Sequence, residues 1–166
     1  MARFSLFSAL LAVAALVPLA SAGEIPDKFK MVSGNGIGTA RILGSESQYS
    51  DLPVTVNKME EGIYGEFRAE PFGDGSKIYN YGCQRYLTII GSNVYGTDKP
   101  DPDYSKWYFE PNDDGSYIIK SPQGLVMTAF QESGSEEGLI YTIYADHMNN
   151  QKWTLESIPS SDSTKA

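Results

Sequence analysis

The sequence predicts an all-β chain closed on itself by a threefold internal repeat, the β-trefoil architecture, and three observations carry that prediction. A twelve-residue segment recurs forty residues further on. Clusters of Gly, Pro, Asn, Asp and Ser separate short runs of aromatic and β-branched residues at the spacing of a barrel or sandwich. Beyond the N-terminus, no segment keeps a 3.6-residue apolar period over three turns, so helix content should be minimal.

The repeat is explicit. Phe67 to Ile78 reads FRAEPFGDGSKI and Trp107 to Ile118 reads WYFEPNDDGSYI; both fit aromatic-x-x-Glu-Pro-x-x-Asp-Gly-Ser-x-Ile. A truncated third copy, Trp153-Thr154-Leu155-Glu156, follows forty-six residues after Trp107. Each copy should start a short strand on its aromatic, turn at Asp-Gly where the glycine supplies the positive φ, and return as a strand. Three such units fall below the roughly four blades of a propeller, and closing them on one another gives a trefoil.

In chain order, Met1-Ala2-Arg3 leads into an apolar run from Phe4 to Leu19 that ends in Ala20-Ser21-Ala22, the small-x-small pattern a signal peptidase accepts. Residues 1–22 are therefore expected to be a secretion signal rather than a membrane anchor, because the run is short, holds Pro18 and has no basic flank beyond it. Residues 23–158 suit a single domain with one core. Strands are expected at Lys28 to Val32, Thr39 to Leu43, Val54 to Asn57, Lys77 to Asn80, Arg85 to Ile90, Tyr117 to Ile119, Leu125 to Ala129 and Ile140 to Ala145. Residues 159–166 lack apolar side chains and should be a disordered tail.

Composition excludes several classes. The net charge is −8, without a Lys/Arg cluster, which suits neither nucleic acid nor an anionic membrane. The single cysteine, Cys83, closes no intramolecular disulfide and reads as a small buried residue. The single histidine, His147 beside Asp146, has no nucleophile motif to serve and reads as a polar loop residue. The paired carboxylates Glu60-Glu61, Asp113-Asp114 and Glu136-Glu137 read as solvated loop charge, and no metal-ligand cluster exists. The chain is expected to be neither an enzyme nor a cofactor binder, and to act by binding.

Gln151-Lys152-Trp153, with Ser105-Lys106-Trp107 as a weaker version, resembles the Gln-x-Trp signature of ricin-B-type trefoils. Within that superfamily the chain is similar to the fungal serine-protease inhibitors of the cospin type. The residues that carry the likeness are Leu52 to Val56, the aromatic-x-x-Glu-Pro strand with its Gly-Asp-Gly turn, Tyr86-Leu87-Thr88, Trp107 to Glu110 and Ile118 to Pro122. It covers about residues 28–156 and implies a secreted monomeric inhibitor of a peptidase, a serine protease first of all, acting by reversible insertion of an exposed loop.

For a trypsin-like target the inserted anchor must be Lys or Arg. The candidates are Arg41, at the edge of the loop through Gly44 to Ser50, and Lys99 with Pro100, in an exposed turn context. The loop from Gln131 to Gly138, with Glu132, Glu136 and Glu137, is a third candidate for a different target. The alternative is a carbohydrate-binding trefoil, which needs an aromatic face and amide or carboxylate partners for hydroxyls. Tyr95, Asp98, Tyr104 and Asn149 are the sugar-binding candidates, with Tyr49 and Tyr144 as further aromatic faces.

Overall fold

A computed structural model describes residues 24–42, 51–58 and 62–159. The predicted leader at 1–22, the loop from Gly44 to Ser50, Tyr49, Glu60-Glu61 and the tail from residue 160 lie outside these residues. Among the described residues there are twelve strands: β1 (Phe29–Ser33), β2 (Thr39–Ile42), β3 (Asp51–Asn57), β4 (Phe67–Phe72), β5 (Gly75–Asn80), β6 (Arg85–Ile90), β7 (Asn93–Thr97), β8 (Tyr108–Pro111), β9 (Tyr117–Lys120), β10 (Val126–Phe130), β11 (Glu137–Ile143) and β12 (Lys152–Ser157). Single 3-10 turns at Gly62–Gly65 and Asn149–Gln151 precede β4 and β12.

Six strands form a ring. β1 pairs with β4 through Phe29 and Phe67, and β4 with β5 along its whole length. β5 meets the start of β8 where Ser76 and Trp107 exchange backbone bonds of 2.9 and 2.7 Å. β8 pairs with β9, β9 with β12, and β12 with β1, which closes the barrel. The remaining strands are three hairpins, β2–β3, β6–β7 and β10–β11, which pair with one another at β3–β7, β7–β11 and β11–β3 to cap one end. Four strands per unit, three units and a capped six-stranded barrel make a β-trefoil.

The aromatic that starts each repeat fills the barrel. Phe67, Trp107 and Trp153 are fully buried, among Phe29, Met31, Ile78, Leu87, Ile119 and Met127. Each indole N–H finds a carbonyl one hairpin away: Trp107 Nε1 donates to the Leu87 oxygen at 3.2 Å and Trp153 Nε1 to the Met127 oxygen at 2.9 Å. The first unit has Phe67 there, which buries a ring without a donor to satisfy.

The two Asp-Gly turns differ from the expected single design. In the later copy Gly115 takes φ +81°, as predicted, and Asp114 accepts from the Ser116 backbone N–H at 3.0 Å. In the earlier copy Gly73 takes the positive φ (+67°), because Phe72 pairs directly with Gly75 and leaves a two-residue loop. Gly75 is glycine for another reason: a Cβ there would stand 2.9 Å from the Trp107 carbonyl oxygen. β7 was not among the expected strands; its Gly96 disguises it, at a place where a Cβ would crowd Ile42 Cδ1 at 2.6 Å and Arg85 Cβ at 3.0 Å.

Candidate functional site

Hairpin β10–β11 alternates as a strand pair with one solvated face should. Ala129 and Ile140 point into the core, while Phe130, Leu139, Tyr141 and Ile143 point out. The outward set is apolar: Phe130 is 51% exposed, Leu139 43% and Ile143 40%. Water is a poor neighbour for four such side chains in one patch, which makes this face a candidate binding surface.

The register sets Tyr141 opposite Thr128, and Phe130 meets Tyr141 edge to face with centroids 6.2 Å apart. Asn150, at the 3-10 turn before β12, faces this pair and completes a groove of about 300 Å³ lined by Thr128, Phe130, Tyr141, Ile143 and Asn150. Gln151 positions that wall. Its amide oxygen accepts from the backbone N–H groups of Asp146 (2.9 Å) and His147 (3.2 Å), and its amide nitrogen donates to the Tyr144 carbonyl at 2.9 Å. The Gln of the Gln-x-Trp signature is thus a buried clamp on the loop beneath the groove. Asn150 Oδ1 is shut away without a hydrogen-bond partner. An unpaired buried amide oxygen costs about 1–3 kcal/mol, which singles Asn150 out among the groove's polar groups.

The same positions recur in the other units with different chemistry. In the second unit Thr88 pairs with Tyr95, as Thr128 does with Tyr141, and Tyr104 stands three residues before Trp107, as Asn150 does before Trp153. In the first unit Arg41 pairs with Thr55, and both side chains turn to Glu137 of β11: Arg41 Nη2 donates to Glu137 Oε1 at 2.8 Å and Thr55 Oγ1 to the same oxygen at 2.9 Å. The Arg41 hydrogen bond and, less strongly, that of Thr55 hold the Glu137 carboxyl below its usual range against the opposing effect of burial.

Arg41 therefore lies within a paired strand, half-buried and ion-paired to Glu137, rather than at a loop tip. Lys99 is exposed after β7, with its N–H on Thr97 Oγ1 at 3.3 Å, and Pro100 beside it is half-buried. Asp98 is exposed, 3.5 Å from Arg85. Tyr95, Asp98 and Tyr104 belong to the second unit and Asn149 to the third, and none of the four lines the third-unit groove. The groove residues Phe130, Tyr141, Ile143 and Asn150 escaped the sequence reading. The signal was there in the alternation from Leu139 to Ile143 and in the matched offset of Tyr104 and Asn150 from their tryptophans.

The two reactive-looking residues are quiet. Cys83 is half-buried against the core rather than fully buried, its thiol 3.2 Å from Asn80 Oδ1, and burial pushes it up to about 11. Asp146 Oδ1 accepts from the Met148 backbone N–H, and His147 is an exposed loop residue with φ +60°. Among the described residues no group of three or more His, Cys, Asp or Glu could hold a metal ion, and no helix is long and apolar enough to cross a membrane.

No protein-family model and no curated protein sequence matches the chain. Solved structures do. A designed three-fold symmetric protein, ThreeFoil, superposes with a TM-score of 0.70 at 18% identity, over 80% of this chain and 99% of its own. The Rhizoctonia solani agglutinin gives 0.68 at 15% identity, over 82% and 98%. The C-half of the earthworm R-type lectin, solved in complex with GalNAc, gives 0.61 at 13% identity, over 80% and 100%. At these identities the likeness shows the fold alone, and that fold is the β-trefoil the internal repeats predict.

Proposed function

We propose that this chain is a carbohydrate-binding trefoil whose principal site is the groove of the third unit, and that it acts by binding without chemistry on its ligand. The observation that carries this reading is one groove lined by the exposed Phe130, the half-buried Tyr141 and Asn150, whose Oδ1 has no hydrogen-bond partner. A sugar ring presents C–H faces that pack on aromatics and hydroxyls that need amide partners. The agglutinin and the GalNAc-bound R-type lectin that share the fold support the same reading. The leader pattern at 1–22 fits a secreted protein that meets its glycan outside the cell. Binding to a panel of immobilised neutral glycans tests the proposal: wild type should be retained and Asn150→Ala should not, whereas equal retention of both would move the site elsewhere.

One observation favours a second reading, peptidase inhibition. The segment that presents Lys99 is laced by internal hydrogen bonds, from the Asp101 N–H to Ser105 Oγ (3.1 Å) and from the Ser105 N–H to the Asp101 carbonyl (2.7 Å). Gln123 Nε2 adds a bond to the Asp103 carbonyl at 2.6 Å. A held, exposed lysine is what a substrate-like inhibitor of a trypsin-type protease presents, and the cospin-type resemblance points the same way. Stoichiometric trypsin inhibition lost on Lys99→Ala would establish it; unchanged trypsin activity at micromolar protein would remove it.

A further inference from the structure

The third-unit groove does not end at its aromatic pair. On the other side of Phe130 and Tyr141 lies a second groove of about 260 Å³, whose remaining lining includes Leu139, Glu132, Ser135 and Glu137. The two depressions share both rings, so the Phe130–Tyr141 pair is the ridge between adjoining halves of one cleft rather than the back wall of a pocket. A third depression of about 450 Å³, with Lys58, Gln131 and Glu136 on its rim, meets the second at Ser135. The halves differ in chemistry. The Asn150 side is mostly apolar with one amide, while the far side carries carboxylates, which only accept hydrogen bonds when ionised.

Resting on the carbohydrate reading, we infer that this cleft takes a neutral oligosaccharide of at least two residues, one ring on each side of the aromatic ridge, rather than a single terminal sugar. The far-side ring supplies hydroxyl donors to Glu132 and Glu137. Glu137 is already fixed by Arg41 and Thr55, which holds its carboxylate in place for a third donor. Glu132 lies exposed in the loop before β11 and offers a free carboxylate rim. Sulfated or carboxylated glycans are disfavoured, because like charges would face each other across the cleft and the chain is net −8.

Calorimetric titration of the purified protein with neutral galacto- and chito-oligosaccharides of one to four residues, and with sulfated galacto-oligosaccharides, tests this. In the series that binds, affinity should rise at least about tenfold from one residue to two or three. Glu132→Ala should bring that ratio to within about twofold at an unchanged melting temperature, and the sulfated ligands should bind more weakly than their neutral counterparts. Equal affinity for one and three residues would overturn the extended cleft while leaving the lectin reading intact. A length gain that survives Glu132→Ala would place the added contacts elsewhere and overturn the assignment. Binding of no saccharide in either series would overturn the carbohydrate reading as well.

Discussion

At the scale of single residues, the chain is governed by a few side chains with two jobs each. Trp153 fills the barrel and satisfies the Met127 carbonyl, so Trp153→Ala should lose burial and leave a cavity, at a cost of about 3–5 kcal/mol. Chemical denaturation reads that directly, and an unchanged midpoint would show the ring to be dispensable. Glu137 links three strands through Arg41 and Thr55, and its native carboxyl titrates below its ordinary 4.5. A depressed carboxyl contributes fully above its unfolded value and loses that contribution as the pH falls through the lower native one. Wild type should therefore lose stability more steeply than Glu137→Gln as the pH falls from the ordinary carboxylate range through the lower native value, as thermal melts at stepped pH would show. The buried tryptophans were legible as core from their repeat spacing. Arg41 was legible as a strand residue but its ion pair was not, because its partner Glu137 lies 96 positions away and only the β11–β3 pairing brings it near.

At the scale of elements, glycines and hairpin alternation decide where chain segments can meet. Gly38, before β2, has φ +144° and its missing Cβ would fall 2.0 Å from the Asn57 carbonyl oxygen. Gly38→Ala must push β2 and β3 apart or change the backbone there, and should lower stability by more than the roughly 1 kcal/mol that the same substitution gains where the backbone is compatible. A melting temperature equal to wild type would contradict that. Charge pairing follows the repeats as well: Asp74 meets Lys106 at 2.9 Å and Asp114 meets Lys152 at 2.9 Å, while the first unit has the signs reversed in Lys28 and Glu66. The Lys106 and Lys152 hydrogen bonds are the leading causes that lower the Asp74 and Asp114 carboxyls, yet both pairs are exposed and salt-screened, so they mark register more than they stabilise. Most strands were legible in the sequence because pleated alternation leaves a period of two. β7 was hidden by Gly96, and the unlike turns at Gly73 and Gly115 were hidden because loop length depends on pairing register, which local sequence does not carry.

At the scale of the whole molecule, closure of six barrel strands and three capping hairpins gives three related faces on one rigid body, each free to carry different chemistry. The first face is closed by the Arg41–Glu137 pair, the second presents Tyr95 and Tyr104, and the third opens into the aromatic cleft. The fold was legible because it is written three times over in the sequence. The site was not, since it joins residues from β10, β11 and the turn before β12, and nothing in the linear pattern ranks one outward face above another.

The most direct test of the central claim is quantitative binding of neutral glycans by wild type and Tyr141→Ala, measured alongside their melting temperatures. The account predicts that wild type binds and that Tyr141→Ala binds at least about tenfold more weakly while melting within a few degrees of wild type, because the ring lies on the outer face and not in the core. Equal binding by both proteins, or no glycan bound by wild type, would contradict it.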